Sequence, residues 1–288
     1  MVVGIQPFMD TCSYYIYTSF TSFNSQNIMK VLVLPDIHCR NFWRKAIDNN
    51  IGKVEKVIFL GDYLDPYPNE FEENPDSMEG IDFYDDYTHM LYDIINLKRN
   101  EPEKYVLLTG NHTDSYIWTT FPAASRTNRR DWERYNEFYL EYLNLFNLVW
   151  IQDNVIFSHA GITQNWANIV WEKLEFPEDE FPDIKEVAQT LKDTPLKNFN
   201  SSYQFLIGNI SFYRGGDSSC GSCEWADIRE HIHKINGAGQ ITPNKYEGIY
   251  QVFGHTQLKK PLIFDTWACL DCRKGFIIDT LTYEISEC

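Results

Sequence analysis

Short apolar runs that alternate with longer amphipathic stretches constrain the fold of this chain more than any other feature. Each run is followed within two residues by glycine or a polar residue, as is typical of short strands that are buried on both faces of a sheet. The runs are residues 31–34, 57–60, 105–108, 155–157, 249–253 and 276–278. Between them, apolar residues recur at helical spacing in 42–49, 82–97, 132–146 and 164–174. The alternation predicts an α/β fold in which helices cover the sheets.

Two stretches show neither pattern, and we expect both to be irregular. Residues 67–86 are rich in proline, asparagine and acids, and 176–248 contain scattered proline, glycine and asparagine. Residues 1–28 contain no lysine or arginine and so lack the basic segment that opens a signal peptide. We therefore predict a weakly structured N-terminal extension over 1–28 and a single domain over 29–288.

The charge balance limits the partners that we expect, and the cysteine content limits the compartment. Lysine and arginine total 25 against 41 aspartates and glutamates, a formal net charge of −16. Duplex nucleic acid and anionic membranes both require a basic surface, so we expect neither as a partner. The seven cysteines are too few and scattered for a disulfide-rich secreted scaffold, and no apolar run is long enough to span a membrane. A reducing cytoplasm is the predicted location, and the oligomeric state stays open.

Metal-binding and proton-transferring side chains follow five of the six predicted strands. A single such residue after a strand is typical of a helix cap or turn, but ligands of open α/β sheets bind at the carboxyl ends of strands. Five ends that carry such groups therefore predict one shared site. Mixed nitrogen and oxygen ligands suit Mn²⁺, Fe²⁺, Zn²⁺ or Ni²⁺ better than Mg²⁺ alone. The segments are Asp36-Ile37-His38, Gly61-Asp62-Tyr63-Leu64-Asp65, Gly110-Asn111-His112, His159-Ala160-Gly161 and Gly254-His255.

In order and spacing, these segments resemble the five sequence blocks of the calcineurin-like metallophosphoesterase superfamily. The resemblance covers about 220 residues, from Asp36 to His255. Segments 159–163 and 254–256 look most like the branch of bacterial and phage serine/threonine phosphatases and diadenosine tetraphosphatases. The resemblance implies a four-layer α/β/β/α sandwich with two mixed β-sheets. It also implies hydrolysis of a phosphate ester with two divalent metal ions, Mn²⁺ being the expected ion.

The resemblance also implies a role for each matched residue. The first metal would be bound by Asp36 and His38, and Asp62 would bridge both metals. A hydroxide that bridges the metals would attack phosphorus, which two cations favour by clamping the phosphoryl group. The general acid would be His112, oriented by Asp65. The residues implied for the second metal are Asn111, which would also contact the substrate phosphate, His159 and His255.

The chain departs from the phosphatase branch at the places that bind substrate phosphate. The second block continues with Pro66-Tyr67 instead of Arg-Gly, so the usual phosphate-binding arginine has to be replaced. We predict Arg214 as the replacement, because it lies in a segment that resembles the second phosphate arginine of the branch. A solvated helix start is an equally good interpretation of the other candidates, Arg126, Arg129 and Arg130. Some relatives have a further metal-binding histidine at the position of Gln257, where water would complete the first site.

A phosphomonoester is the predicted substrate, in a phosphorylated protein or a small molecule. A phosphodiesterase or dinucleoside-polyphosphate hydrolase is the alternative, and a catalytically silent scaffold is a third interpretation. Between Lys56 and Lys98 there are eleven acids and no lysine or arginine. We hypothesise that this acidic segment borders the site and favours basic phosphopeptides.

Two Cys-x-x-Cys pairs leave a further alternative open. A structural zinc ion could be bound by Cys220, Cys223, Cys269 and Cys272, although the interval between the pairs is longer than in common zinc ribbons. Unmodified thiols in a reducing compartment are the simpler interpretation.

Overall fold

The computed structural model describes residues 29–67, 87–119, 124–177, 181–235 and 240–288. The extension predicted over 1–28 and most of the acidic segment lie outside these ranges, so both stay predictions. Within the described ranges, no helix has the length and apolarity needed to cross a membrane.

The first sheet has six strands in the order β13-β12-β1-β2-β3-β4. The four strands from β1 to β4 are parallel neighbours, whereas β12 is antiparallel to β1 and β13 is antiparallel to β12. The sheet is therefore mixed. Its strands are β1 (Lys30–Leu34), β2 (Lys56–Phe59), β3 (Tyr105–Leu108), β4 (Phe146–Asn147), β12 (Phe276–Asp279) and β13 (Ile285–Glu287).

The second sheet has five strands in the order β10-β11-β9-β6-β5. Its three central strands are parallel, and an antiparallel strand closes each edge. A separate hairpin pairs β7 (Ile232–Ile235) with β8 (Ile241–Pro243). The strands of the second sheet are β5 (Val149–Gln152), β6 (Val155–Ser158), β9 (Tyr250–Phe253), β10 (Leu262–Ile263) and β11 (Trp267–Cys269).

The two sheets pack face to face through the side chains that alternate along each strand. Val31 and Val33 of β1 share a buried cluster with Phe157 of β6 and Val252 of β9. Leu32, the residue between the two valines, belongs to the other cluster, in which helices pack on the sheets. Because successive residues of a strand point to opposite faces, a continuous apolar run serves both layers. This arrangement confirms the predicted four-layer α/β/β/α architecture.

The helices of the described residues present apolar faces to the outer sides of the sheets. Trp43 and Ile47 do so on α1, one turn apart, and Trp166 and Val170 show the same spacing on α5. The helices are α1 (Phe42–Asn50), α2 (Thr88–Asn100), α3 (Asn111–Ile117), α4 (Trp132–Tyr142), α5 (Gln164–Lys173), α6 (Ile184–Asp193) and α7 (Ser201–Ile207).

Two predictions about regular structure are wrong in part. Residues 176–248, expected to be irregular, contain α6, α7 and the β7-β8 hairpin. Asn200 there acts as a cap rather than a loop former, because its side chain accepts hydrogen bonds from the amides of Ser202 and Tyr203 at the start of α7. The helix predicted over 132–146 ends at Tyr142, because Phe146 pairs with Leu107 as part of β4.

Candidate metal centre

The carboxyl ends of five strands meet at one end of the two sheets. β1, β2 and β3 are parallel neighbours in the first sheet, and β6 and β9 are parallel neighbours in the second. The His255 amide, which follows β9 of the second sheet, donates at 2.9 Å to the carboxylate of Asp36, which follows β1 of the first. Within the second sheet, the Gly254 amide donates to the His159 carbonyl at 2.8 Å. The predicted metal ligands are therefore brought to one place and are all buried: Asp36, His38, Asp62, Asn111, His159 and His255.

Four potential ligand atoms converge around His159. Its Nε2 lies 3.1 Å from Asn111 Oδ1, 3.1 Å from His255 Nδ1 and 3.3 Å from Asp62 Oδ2. The other nitrogen, Nδ1, donates to the Leu60 carbonyl at 2.8 Å, which fixes the ring with Nε2 facing these atoms. Ligand atoms that bond one ion at about 2.1 Å lie about 3–3.5 Å from each other. This set of atoms therefore fits a divalent cation.

A second group of potential ligands shares Asp62 with the first. His38 Nδ1 donates to the Leu64 carbonyl at 2.7 Å, and its Nε2 lies 3.7 Å from Asp62 Oδ2. Asp62 thus has the position that a bridging ligand needs, whereas Asp36 belongs to neither group and has Oδ1 4.0 Å from His159 Nε2. In the described ranges, the groups with ligand atoms within 4.8 Å of one another are His38, Asp62 and His112, and Asp62, His159 and His255.

Several residues of the site have backbone conformations that side chains rarely adopt. A left-handed conformation of a non-glycine residue costs about 1–3 kcal/mol and persists only where the surrounding structure enforces it. Such strain is typical of functional sites, and here it turns the strand ends sharply into the site. The residues with positive φ are His38 (42°), Asp62 (47°), Asp65 (61°) and His255 (64°).

Burial and charge set the protonation states of the cluster. Although burial alone would raise the pKa of Asp62, the nearby His159 holds it well below its ordinary value. Although burial disfavours an imidazolium, the carboxylates of Asp62 and Asp36 raise the pKa of His159 well above its ordinary value. Burial lowers the pKa of His38 and of His255, so both are neutral, the form that binds metals. Without a metal ion, a proton on His159 thus neutralises part of the carboxylate charge of Asp62 and Asp36. A bound cation would neutralise the same charge.

His112 and Asp65 form a hydrogen-bonded pair next to these groups. His112 Nδ1 donates to Asp65 Oδ2 at 2.6 Å, and the His112 amide donates to Asp62 Oδ1 at 2.9 Å. The second carboxylate oxygen, Asp65 Oδ1, accepts a hydrogen bond from the Tyr116 hydroxyl at 2.6 Å. The pair predicted from the sequence is therefore assembled, with the other ring nitrogen of His112, Nε2, left for a reacting group.

A cavity of about 370 Å³ opens onto both the potential ligands and this pair. Histidine, aspartate and asparagine side chains make up part of its lining, together with aromatic and apolar residues, a serine, a glycine and an arginine. Such a volume is at the lower end of the range for small-molecule sites. The lining residues are His38, Asp62, Tyr67, Asn111, His112, Ser125, Ile210, Arg214, Gly215, Trp225 and His255.

A sequence model of the calcineurin-like phosphoesterase family matches residues 29–259. The chain belongs to the calcineurin-like phosphoesterase family. It is accordingly a metal-dependent phosphoric ester hydrolase, as the five blocks predicted. A search of curated proteins found no significant match.

The solved structures that are similar to this phosphoesterase include a phosphatase and a metallophosphoesterase. One is a protein serine/threonine phosphatase from Saccharomyces cerevisiae with similarity to human phosphatase PP5, at 10% identity and a TM-score of 0.45, over 89% of this chain and 74% of that one. The other is a metallophosphoesterase from Sphaerobacter thermophilus, at 18% identity and a TM-score of 0.26, over 48% of this chain and 49% of that one. Family membership follows from the sequence match rather than from these likenesses.

In this phosphoesterase, Arg214 lies on the wall of the cavity. It ends a 3₁₀ turn, and Gly215 then reverses the chain with a φ of 83°. Arg214 Nη2 donates to Thr256 Oγ1 at 2.5 Å, and its Nε lies 2.9 Å from Asp227 Oδ2. The side chain is a quarter exposed. It is therefore both anchored and accessible, as a phosphate-binding arginine must be.

The three arginines that follow His112 differ in their surroundings. The Arg126 guanidinium stacks on Tyr67, 3.6 Å from the ring centroid, and its Nε donates to the Asp65 carbonyl at 3.2 Å. Arg129 and Arg130 are exposed, as in a solvated helix start. Arg126 is thus part of the structure that supports the cavity.

Two deeply buried acids next to the site were not found by sequence reasoning. Glu224 Oε1 accepts a hydrogen bond from Thr109 at 2.8 Å, and burial raises the pKa of Glu224 to about 8. Burial and the nearby Glu224 also raise the pKa of Asp114 well above its ordinary value. Neither acid directly follows a strand. A position directly after a strand identified the other site residues, so it could not identify these two.

The four cysteines considered for a zinc site do not form a metal-binding group in the described ranges. Cys269 Sγ instead donates to the Gly254 carbonyl at 3.3 Å, and burial raises the pKa of this thiol well above its ordinary value. Cys220 and Cys223 are also buried free thiols. The simpler interpretation as unmodified thiols agrees with this arrangement, and the cytoplasmic location stays a prediction.

Proposed function

We propose that this phosphoesterase hydrolyses a phosphomonoester, carried by a protein or by a small molecule. The observation that supports the proposal is the position of the His112–Asp65 pair. It lies on the same cavity as the potential metal ligands, with Asp62 hydrogen-bonded to the His112 amide. A proton donor next to a metal centre suits departure of an alcohol from phosphorus.

The metal ions would be held in two sites that share Asp62. Asp36 and His38 would bind the first ion, with Asn111, His159 and His255 on the second. Mn²⁺ is our proposed ion, because imidazole together with carboxylate and amide oxygens suits borderline cations. When bound, the ions would polarise the phosphoryl group and lower the pKa of the attacking water.

The side chains around the ions would position the ester and move one proton. Arg214 and Asn111 would hold the phosphate oxygens, since both line the cavity and carry hydrogen-bond donors. His112 would transfer the proton on Nε2 to the leaving oxygen as the P–O bond breaks. Asp65 would keep the proton of Nδ1 in place and stabilise the imidazolium before that transfer.

The proposal is tested by comparing p-nitrophenyl phosphate with bis-p-nitrophenyl phosphate in the presence of Mn²⁺. We expect the monoester to be hydrolysed faster. Asp62→Asn removes the shared carboxylate charge, so it should lose bound Mn²⁺ and activity together. His112→Asn should retain Mn²⁺ but lose about 100-fold or more in kcat for phenyl phosphate, whose basic leaving group needs the proton of a general acid.

Mn²⁺ content measured on the same samples separates the two roles of His112. Loss of metal in His112→Asn would make this histidine a ligand instead of an acid. Faster hydrolysis of the diester would replace the monoesterase with a phosphodiesterase, and no hydrolysis of either ester would remove the proposed function.

A further inference from the structure

A buried tyrosine completes the hydrogen bonds of the pair that we propose as general acid. The Tyr116 side chain is fully buried on α3, and its hydroxyl donates to Asp65 Oδ1 at 2.6 Å. The same hydroxyl oxygen accepts a hydrogen bond from the Asn128 amide at 2.7 Å. Tyr116 is in no block that the family resemblance uses.

The chemistry of these groups fixes the direction of each hydrogen bond that links Asn128, Tyr116, Asp65 and His112. A main-chain amide can only donate, so the single hydroxyl proton of Tyr116 has to go to Asp65. Burial and the nearby Asp65 carboxylate raise the pKa of Tyr116 far above its ordinary value, so the hydroxyl stays protonated. Asp65 is left with Oδ2 to accept the Nδ1 proton of His112.

The loop after α3 is attached to the same pair at two further points. The Arg126 side chain donates to the Asp65 carbonyl, and the hydroxyls of Ser115 and Thr127 lie 3.3 Å apart. Ser115 Oγ is also 2.7 Å from the His112 carbonyl, to which it donates. The position of Asp65 is therefore set from α3 and from this loop.

We propose that Tyr116 is a positioning residue that holds Asp65, and through it His112, in the geometry needed for proton donation. The inference rests on the general-acid role proposed above. Tyr116 does not touch the reacting atoms; it acts by fixing which oxygen of Asp65 faces His112 and by keeping Nε2 directed at the leaving oxygen. The contribution of Tyr116 to kcat should therefore be larger for a more basic leaving group, which needs a proton in order to depart.

This dependence on the leaving group gives a test that a structural role would not pass. p-Nitrophenolate leaves readily without a proton, whereas phenolate is far more basic and needs one. Tyr116→Phe should lower kcat for phenyl phosphate about 10-fold or more, the usual value of a hydrogen bond to a charged group. The loss for p-nitrophenyl phosphate should be about 2-fold or less, with KM unchanged for both.

Tyr139→Phe is the matched control. Its ring stacks on that of Tyr116 at 6.2 Å and is equally buried, but its hydroxyl is not one of the two groups bonded to the Asp65 carboxylate. This variant should affect both substrates alike. Thermal unfolding shows whether each variant is folded.

A double-mutant cycle with Asp65→Asn completes the test. Because Tyr116 acts through Asp65, Tyr116→Phe should cause no further loss in the Asp65→Asn background. Equal losses for both substrates, or a full further loss in that background, would overturn the proposal. These outcomes differ from failure of the proposed function, in which the unmodified protein or the His112→Asn comparison would already give the wrong result.

Discussion

Burial determines the protonation state of individual residues in this protein. His231, which lies outside the metal centre, is an example. His231 is fully buried, its Nδ1 lies 2.7 Å from the Tyr246 hydroxyl, and its Nε2 lies 3.1 Å from the Ala160 carbonyl. A carbonyl only accepts, so Nε2 carries the ring proton and Nδ1 accepts from Tyr246. The neutral ring thereby holds the main chain next to His159.

His231 predicts a loss of stability in mild acid. Burial lowers its pKa to about 4, against 6.5 for the free side chain. Below pH 6.5 the unfolded chain therefore binds a proton that the folded chain does not, so stability falls as the pH falls from 6.5 to 4. The full effect is about 3 kcal/mol. Urea unfolding of the metal-free protein between pH 7 and pH 4.5 measures it.

His231→Gln provides the comparison for this pH dependence. The variant should be less stable at pH 7, because it loses a packed ring, but should lose less stability as the pH falls. His233→Gln is the control, since His233 is exposed two residues along the chain. If His231→Gln and the unmodified protein lose equal stability towards pH 4.5, other groups cause the acid sensitivity.

Among the structural elements, the turns after the strands bring the potential ligands together. The turn at Gly110 leaves no space for a Cβ atom. Gly110 lies between β3 and α3 in extended conformation. A Cβ atom there would lie 2.3 Å from Asp62 Oδ1 and 2.9 Å from His159 Nδ1. Only glycine lets the main chain pass so close to the two potential ligands.

Gly110→Ala should therefore disrupt the metal centre. The added methyl group must push aside Asp62 or His159, and overpacking of this kind costs about 1–3 kcal/mol. We expect bound Mn²⁺ to decrease and activity to fall about 100-fold or more, with the fold retained. Calorimetric titration with Mn²⁺ and the phosphatase assay measure the two effects.

Gly52→Ala is the control for this change. A Cβ atom at Gly52 would meet nothing within 4 Å, so Mn²⁺ binding and activity should be unchanged. Normal Mn²⁺ affinity in Gly110→Ala would show that the turn can move without loss of the site.

Most of the central strands could be predicted from the sequence, but the central strand β11 and the edge strands could not. The strands β1, β2, β3, β6, β9 and β12 begin and end within one residue of the apolar runs, because burial on both faces requires continuous apolar sequence. β4 and β10 have two residues each, too few to show a period. These two strands form because they pair with β3 and β11, and their own sequences do not show a strand pattern.

The candidate site was predictable only where its residues follow strands. Asp62 and His159 lie at strand ends and carry recognisable motifs, so their proximity follows from the parallel topology. Tyr116 comes from a helix, and Ser125 and Trp225 come from loops. The positions of Ser125 and Trp225 on the cavity wall, and of Tyr116 beside Asp65, depend on tertiary packing, which a single sequence does not reveal.

For the molecule as a whole, acidic residues lie deep inside as well as on the surface. Among the described residues, six acids at the carboxyl ends of the strands or beside them are buried, with at most 3% of their surface exposed. They are Asp36, Asp62, Asp65, Asp114, Glu224 and Asp271. Burying carboxylates destabilises the folded state unless cations or protons neutralise them, so metal binding and stability should be coupled.

We therefore expect Mn²⁺ to raise the melting temperature. An ion that binds only the folded state stabilises it by about 2.7 kcal/mol at a hundred times its Kd, which is on the order of 5–10 °C for a domain of this size. Scanning calorimetry with and without Mn²⁺ measures the shift, and a chelator should reverse it. An equal shift in Asp62→Asn would mean that the stabilising ion binds elsewhere.

The pairing of β1 with β12 has a consequence for synthesis on the ribosome. Lys30 pairs with Asp279, and the His255 amide bonds to Asp36 across 219 residues of sequence. At about 5–20 residues per second, a nascent chain would expose its first candidate ligand for about 10 to 40 seconds before the last one is made. The pairing of β1 and the metal centre would both stay incomplete until residues as late as Asp279 are made, so hydrolytic activity would begin only after these residues have left the ribosome.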